Sequence, residues 1–138
     1  MPMDQALIDT DILSEVLKGK NARVLKHAQQ YLAEHGRMVF SAITLYEVVR
    51  DFRATGAVRQ LANFLKLTEN SDVLPISGAV LDRAAGLWAE AYTSGHARDD
   101  ADLIIAATAL EARRVLVTGN TNHFDWIPQL QLADWRDA

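Results

Sequence analysis

Several acidic side chains of this sequence stand where a folded chain could bring them together for metal-assisted chemistry. Asp9 ends a short apolar run, Glu47 lies in an apolar segment, and Asp102 opens an alanine-rich one. Asp99 lies three residues before Asp102, so both share one face of a helix, where like charges repel unless a cation lies between them. Oxygen ligands without cysteine favour Mg²⁺ or Mn²⁺ over zinc. Such ions activate water and stabilise charge on a phosphoryl group, so the acids predict chemistry on phosphates.

Each of these polar residues also has a structural alternative. Asp99 and Asp102 can cap the helix that they begin, because aspartate is favoured at helix N-termini. Glu47 follows Thr44 by three residues, which fits a capping box. The Thr118 hydroxyl can orient water or phosphate, or it can bond the local backbone. The spacing alone does not decide between these roles.

Composition narrows the class of protein. The chain has 138 residues, of which 49% are hydrophobic, and it contains no cysteine. We therefore expect one globular domain over residues 1–138, without disulfides, thiolate metal sites or cysteine nucleophiles. No signal-peptide pattern or membrane span is recognisable, so a cytoplasmic protein is expected. The formal net charge is −4, and the four acids named above account for all of it, so net charge does not exclude a nucleic-acid partner.

Short apolar runs alternate with amphipathic segments along the chain. This alternation predicts a parallel sheet between two helical layers, a three-layer α/β/α sandwich with a mostly parallel central sheet. Thr10 or Asp11 is predicted to cap the first helix, and Ser41 or Thr44 the third. The predicted strands are 6–9, 38–41, 72–76, 115–117 and an edge strand over 130–132, and the predicted helices are 10–18, 22–34, 41–55, 58–68, 78–94 and 99–110.

The predicted topology brings the acids to one place. Ligands of open α/β sheets bind beyond the carboxyl ends of the strands. Asp9 ends the first strand, and Glu47 lies on the helix after the second. Asp102 begins the helix before the fourth strand, and Asn120 follows that strand. All of these side chains can therefore reach one crevice.

Four segments resemble, in order, the successive motifs of PIN-domain ribonucleases, and they are most similar to the VapC-type toxins of bacterial toxin–antitoxin pairs. The resemblance covers nearly the whole chain. The pattern Asp-x-x-Ile-Ala-Ala-x-Ala that begins at Asp102 is its most specific part. The segments are Leu7–Leu13, Ser41–Glu47, Asp102–Ala109 and Leu116–Phe124.

The resemblance implies a PIN-like fold and an endoribonuclease that depends on Mg²⁺, with Mn²⁺ able to substitute. Asp9, Glu47 and Asp102 would be the metal-binding acids. The fourth acidic position of the family falls on Asn120, whose amide oxygen can coordinate a metal but adds no charge. Asp99, one helical turn before Asp102, is the candidate that restores this charge. The predicted catalytic set is therefore these five residues.

The resemblance also implies partners. An RNA substrate, a homodimer and a cognate small antitoxin are expected. The helices over 22–34 and 58–68 carry apolar stripes, which could form a groove for an amphipathic antitoxin segment or could be the core of the domain itself.

The aromatic and imidazole side chains are given no catalytic role. The three tryptophans, Trp88, Trp126 and Trp135, are assigned to packing positions, and no base-stacking surface is predicted. His96 and His123 fall in polar loops, where contact with solvent or RNA is expected. Helical spacing predicts that one stripe of the 78–94 helix faces inward, formed by Val80, Leu81, Ala84, Leu87, Trp88 and Ala91.

Two alternative functions remain open at this point. The amide at Asn120 would suit a PIN-fold module that has lost catalysis and only binds RNA or protein. The Asp9-Thr10-Asp11 run resembles the nucleophile motif of haloacid-dehalogenase-type phosphatases. That family expects Thr or Val where this chain has Leu13, and no convincing lysine motif follows.

Overall fold

The computed structural model describes residues 2–137, in which the first four strands are each followed by one or two helices. The strands are β1 (Ala6–Ile8), β2 (Met38–Ser41), β3 (Ser71–Leu74), β4 (Val115–Val117) and β5 (Leu132–Ala133). The helices are α1 (Thr10–Lys18), α2 (Ala22–His35), α3 (Ala42–Thr55), α4 (Val58–Glu69), α5 (Gly78–Ser94), α6 (Asp100–Ala112) and the short α7 (Thr121–Phe124).

The strands form a parallel sheet, as predicted. β1 pairs with β4 and β4 with β5, while β2 pairs with β3. Because β1 also contacts β2, the two groups lie side by side in the order β3-β2-β1-β4-β5. Every strand pairing within residues 2–137 is parallel, so the carboxyl ends of the strands meet at one edge.

Successive strand residues face two different cores, which confirms the three-layer α/β/α sandwich. Ile8, Phe40 and Val117 pack with helices α1 to α4 on one face. Leu7, Val39 and Leu116 pack with α5 and α6 on the other. Strands buried on both faces read as continuous apolar runs, which is why they are recognisable in the sequence. Among residues 2–137, no helix is both long and apolar enough to cross a membrane.

Several predicted element boundaries are wrong. β3 ends at Leu74, before Pro75, because proline cannot donate to a strand ladder. β5 lies at 132–133 rather than 130–132, since the Thr118 N–H donates to the Ala133 carbonyl and sets the pairing. Asp9 itself, not Thr10 or Asp11, caps α1.

The inward face of α5 is narrower than predicted. Its buried residues are Val80, Ala84, Leu87 and Ala91, which repeat at helical spacing and pack toward α6. Leu81 and Trp88 each lie one position beyond a buried residue, so the helix turns them away from the core. Leu81 is 51% exposed and Trp88 is 40% exposed. The prediction that both point inward is therefore wrong.

Candidate active site

Asp9 is the buried carboxylate at the carboxyl edge of the sheet. It follows β1 directly and is only 4% exposed. Its Oδ1 accepts a hydrogen bond of 2.7 Å from the Thr10 N–H, and its Oδ2 accepts one of 2.8 Å from the Thr118 hydroxyl. Thr118 is fully buried at the end of the neighbouring strand β4. Two adjacent strands therefore fix both oxygens of Asp9.

The electrostatics around Asp9 oppose its ionisation. The pKa of Asp9 is raised from 3.8 to about 7, chiefly by burial and further by the negative charges of Asp11 and Asp102. The hydrogen bonds from Thr118 and Thr10 act in the opposite direction. No basic side chain within residues 2–137 forms an ion pair with Asp9. A cation bound beside it would favour the ionised form.

Asp102 lies in the first turn of α6 and brings a second acid toward Asp9. Burial raises the pKa of Asp102, and the charges of Asp99 and Asp11 raise it further. Its Oδ2 lies 3.2 Å from Nδ1 of His123, so His123 contacts a candidate catalytic acid rather than solvent alone. Asp99 is the N-cap of α6, and its Oδ1 accepts the Asp102 N–H at 3.0 Å. The capping role of Asp99 is confirmed, and its catalytic role stays a prediction.

Glu47 is held at the same edge of the sheet by a hydrogen bond from Thr10. Its Oε1 accepts a hydrogen bond of 2.8 Å from the Thr10 hydroxyl, and the buried Thr44 hydroxyl lies 3.0 Å from the Thr10 oxygen. Ser41 caps α3 by accepting the Ile43 N–H, so the capping box predicted for Thr44 and Glu47 does not form. The side chain of Glu47 is therefore available to the site next to Asp9.

The loop after β4 adds further polar groups at the carboxyl edge of the sheet. The Asn120 N–H donates to the Thr118 hydroxyl oxygen at 3.0 Å, and its exposed side-chain amide makes no capping bond within the described residues. The Gly119 N–H donates to Asp11 Oδ2 at 2.9 Å, and its carbonyl accepts from Arg136 Nη2 at 2.6 Å. A Cβ at Gly119 would lie 2.6 Å from that Asp11 oxygen, so a larger residue would displace the carboxylate.

Sequence reasoning missed three of these contacts. The hydroxyl of Thr10 joins Glu47 to the Asp9 turn, and Gly119 and Arg136 together position Asp11. Adjacency to Asp9 is the one signal that could have indicated Thr10. Arg136 reaches the site only because the chain folds back after β5, which no local pattern indicates.

The donor set fits a hard divalent cation, although it is not a preformed cage. Within residues 2–137, no three histidine, aspartate or glutamate side chains converge closely enough to hold a metal ion as they lie. The chemistry nevertheless suits one, because Asp9 is buried, has no basic partner among the described residues and is acted on by the negative charges of Asp11 and Asp102. Carboxylate oxygens are the ligands that Mg²⁺ and Mn²⁺ prefer. Asp9, Asp102 and Glu47 are the residues that could hold it.

Comparison with known proteins identifies the family. The model of the PIN domain matches residues 6–128. The tRNA(fMet)-specific endonuclease VapC of Shigella flexneri is 27% identical, over 94% of this chain and 96% of that protein. Ribonuclease VapC19 of Mycobacterium tuberculosis is 31% identical, over 91% of this chain and 96% of that protein.

A solved structure agrees with the sequence matches. The crystal structure of DNA-bound VapBC from Salmonella typhimurium contains a chain with a TM-score of 0.84 and 25% identity, covering 96% of this chain and 99% of that one. These matches leave the phosphatase interpretation without support, and Asp11 is held by the backbone of Ile12 and Gly119 instead. The chain belongs to the PIN domain family, among its VapC-type ribonucleases.

Proposed function

We propose that this chain is an endoribonuclease that depends on a divalent cation, Mg²⁺ with Mn²⁺ as a substitute, and that it is the toxin of a toxin–antitoxin pair acting in the cytoplasm. The observation that carries the proposal is the placement of Asp9. It is buried at the edge of the sheet where ligands bind, near the charges of Asp11 and Asp102, and no basic side chain in the described part of the chain pairs with it. The substrate is RNA, as the names of the relatives say for those proteins.

The residues have distinct roles in this proposal. Asp9, Glu47 and Asp102 would hold the cation. A bound divalent cation supplies an activated water and neutralises charge on the phosphodiester. Thr118 holds one oxygen of Asp9 in place, and Thr10 orients Glu47.

Three exposed side chains, those of Asn120, His123 and Asp99, complete the proposed reaction centre. The side-chain amide of Asn120 faces solvent beside Thr118 and can donate to a phosphate oxygen or accept from water. His123 holds Asp102 through a contact of 3.2 Å between Nδ1 and Oδ2. Asp99 adds negative charge beside Asp102, which partly replaces the carboxylate that Asn120 lacks.

An RNA cleavage assay tests this function. Protein treated with EDTA should leave single-stranded RNA intact, and added Mg²⁺ or Mn²⁺ should restore cleavage. Asp9→Asn keeps the shape but removes the charge, so it should abolish cleavage. Asp134→Asn is the matched control, because Asp134 lies at the same edge but pairs with Arg136. Cleavage by Asp9→Asn at the parent rate would refute the proposal. A parent that binds RNA but never cuts it would favour the binding-module alternative.

We also propose where the antitoxin binds. An open groove of about 610 Å³ lies between α3 and α4, lined by apolar side chains that include Leu45, Val49 and Leu65. Arg50 and Arg53 also line it, so an amphipathic segment with acidic residues would fit. Val24, Ala28 and Tyr31 of the helix over 22–34 pack into the domain core, and that helix does not line this groove, so we assign the groove to α3 and α4.

Co-expression with the product of an adjacent small gene tests this assignment. The two proteins should co-purify, and Leu65→Glu should break the complex because Leu65 is 46% exposed in the groove. Failure of the parent to co-purify would count against the antitoxin. The expected homodimer is checked by light scattering, where a mass of 15.3 kDa at micromolar concentration would contradict it.

A further inference from the structure

A cluster of stacked rings lies beside the first turn of α6 and has no role in holding Asp9. Trp88 and Tyr92 lie one turn apart on α5, with ring centroids 5.4 Å apart and planes inclined by 13°. The guanidinium carbon of Arg98 lies 5.3 Å from the Trp88 centroid and 5.1 Å from the Tyr92 centroid. Trp88 also lines a small cavity of about 260 Å³ together with Asp100 of α6.

A second stacked pair lies near Asp102 and shares with the first the loop that carries His96 and Arg98. The rings of His96 and Trp126 are 4.7 Å apart and nearly parallel, at 7°. The Trp126 indole N–H donates to the His123 carbonyl at 3.1 Å, and His123 in turn contacts Asp102. Two residues of the loop before α6, His96 and Arg98, therefore each stack on an aromatic ring. We call the five residues Trp88, Tyr92, His96, Arg98 and Trp126 the aromatic platform.

Trp88 and Tyr92 lie on the surface, so the core position predicted for Trp88 is wrong, whereas Trp126 is half-buried against the core formed with α5 and α6. Trp88 is 40% exposed and Tyr92 is 62% exposed. Arg98 is adjacent to Asp99 and Asp100 in the sequence, yet it forms no ion pair within residues 2–137. Its guanidinium stays on the rings instead. Exposed rings that are ordered by stacking indicate a binding surface.

We propose that the aromatic platform stacks the bases of single-stranded RNA next to the catalytic acids and so holds the nucleotides that flank the cleaved phosphate, whichever bases they carry. The inference rests on the proposed function and adds the surface that binds the substrate. Every base has a flat face that stacks on aromatic rings or on a guanidinium plane. Arg98 also carries the positive charge that an RNA backbone requires among these acids.

The chemistry of the platform favours RNA over a protein partner. Its members combine flat rings with polar groups: a guanidinium, an imidazole, an indole N–H and a phenol. The α3–α4 groove also has an arginine over a ring, Arg50 over Tyr46, but this is its one aromatic ring among the lining residues, and the rest of its apolar lining is aliphatic, which suits a protein helix. The platform also borders Asp102 through His123, whereas a protein-binding surface needs no link to the acids.

Binding of RNA to the Asp9→Asn variant separates stacking from cleavage. The probe is a short single-stranded RNA of mixed sequence with a fluorescent label, compared with an abasic oligonucleotide of the same length. Replacing Trp88 and Tyr92 together by alanine should weaken binding of the RNA about tenfold, because each stacked base contributes measurably to affinity. Binding of the abasic oligonucleotide should change less than twofold. Trp88→Phe should retain most of the affinity, since it keeps an aromatic ring.

The matched control is Leu81→Ala, which removes an exposed apolar side chain from the same helix without removing a ring. It should bind RNA like the parent. Equal binding by the Trp88/Tyr92 variant would overturn the platform and leave the proposed function intact. A change in its mass by light scattering would also overturn the platform, because it would show that these rings contact a second copy. If the Asp9→Asn parent binds no RNA at all, the proposed function fails as well.

Discussion

Asp9 and Asp134 occupy equivalent positions but have opposite electrostatic surroundings. Asp9 follows β1 and Asp134 follows β5, and both strands pair with β4 in the same parallel sheet. Asp134 accepts hydrogen bonds from Arg136, including one of 2.9 Å from Nη2, which lowers the pKa of Asp134. Asp9 has no such partner within residues 2–137, and its pKa is raised to about 7, chiefly by burial.

At the carboxyl edge of the sheet, an arginine pairs with Asp134, whereas among the described residues none pairs with Asp9. Arg136 reaches past Asp134 to the Gly119 carbonyl, close to Asp11. A buried carboxylate without a partner destabilises the fold, so it indicates a site where a ligand supplies the missing charge. We interpret Asp134 as part of the scaffold and Asp9 as part of the reaction centre.

Replacing Asp102, the second acid beside Asp9, should have the largest effect on activity among the variants that follow. Asp102→Asn should slow RNA cleavage by at least about a hundredfold, the scale seen when one preorganised group is removed from an active site. Asp100→Asn is the control, because Asp100 lies in the same turn but is exposed. Cleavage rates at saturating Mg²⁺ measure both. Similar losses in the two variants would show that only the charge of the turn matters, not the position of Asp102.

The two aspartates should shift stability with pH in opposite directions when no metal is present. The folded pKa of Asp9 lies above its ordinary value of 3.8, so the unfolded chain binds fewer protons between these values. The free energy of unfolding should therefore fall as pH rises from about 4 to about 7, by about 4 kcal/mol, and stay low above that. Asp9→Asn should remove this fall, which urea titrations in EDTA would measure.

Asp134 should behave in the reverse way. Its folded pKa is lowered, so its pairing with Arg136 stabilises the fold above pH 3.8 and is lost as pH falls through the folded pKa. Because Arg136 is half-exposed, Asp134→Asn should lower stability near neutral pH by at most about 1 kcal/mol. If Asp9→Asn and Asp134→Asn changed the free energy of unfolding near neutral pH in the same direction, the contrast between the two sites would be contradicted.

Removing the Thr118 hydroxyl, which donates to Asp9, should lower both the stability and the rate of RNA cleavage. Thr118→Val keeps the shape but leaves Asp9 Oδ2 and the Asn120 N–H without their partner. Stability should fall by about 1–3 kcal/mol, the usual penalty for a buried unpaired polar group. Cleavage should fall about tenfold to a hundredfold, as when a residue that orients a metal ligand is removed. Thr118→Ser retains the hydroxyl and should restore most of both. A defect in Thr118→Ser as large as that in Thr118→Val would contradict the role of the hydroxyl.

Asp99 should show the smallest effect. Asp99→Ala removes the cap of α6 and should lower the free energy of unfolding by about 1 kcal/mol, whereas Asn is an equally good cap. Asp99→Asn should therefore keep the stability and reduce cleavage only a few-fold, because it removes one charge near Asp102. Chemical denaturation and initial rates separate the two roles. Unchanged cleavage in Asp99→Asn would leave Asp99 as a cap alone.

Much of the fold is predictable from the sequence because buried parallel strands read as apolar runs and their carboxyl ends converge. The same reasoning assigns Asp9, Asp102 and Asn120 to one edge of the sheet. It cannot show that Ser41 rather than Thr44 caps α3, because both residue types accept backbone N–H groups. The Thr10–Glu47 hydrogen bond depends on how α1 and α3 pack, which no local pattern contains.

Aromatic residues are harder to assign from sequence than the acids. Helical periodicity locates a stripe but not its width, so it assigns Trp88, at the margin of the α5 stripe, to the core. The positions of Trp88 and Tyr92, one turn apart, are consistent with either a core edge or an exposed stack. Their stacking with Arg98 depends on the loop before α6, whose course is set by tertiary structure.

Thermal unfolding with and without Mn²⁺ tests the central claim most directly, because it requires only binding at Asp9. A cation that binds the folded protein alone stabilises it by about 2.7 kcal/mol at a hundredfold excess over Kd. At pH 7.5, Mn²⁺ should raise the Tm of the parent and of Asp134→Asn equally, and it should leave the Tm of Asp9→Asn unchanged. A full Mn²⁺-induced shift in Asp9→Asn would contradict the assignment of Asp9 to the cation site.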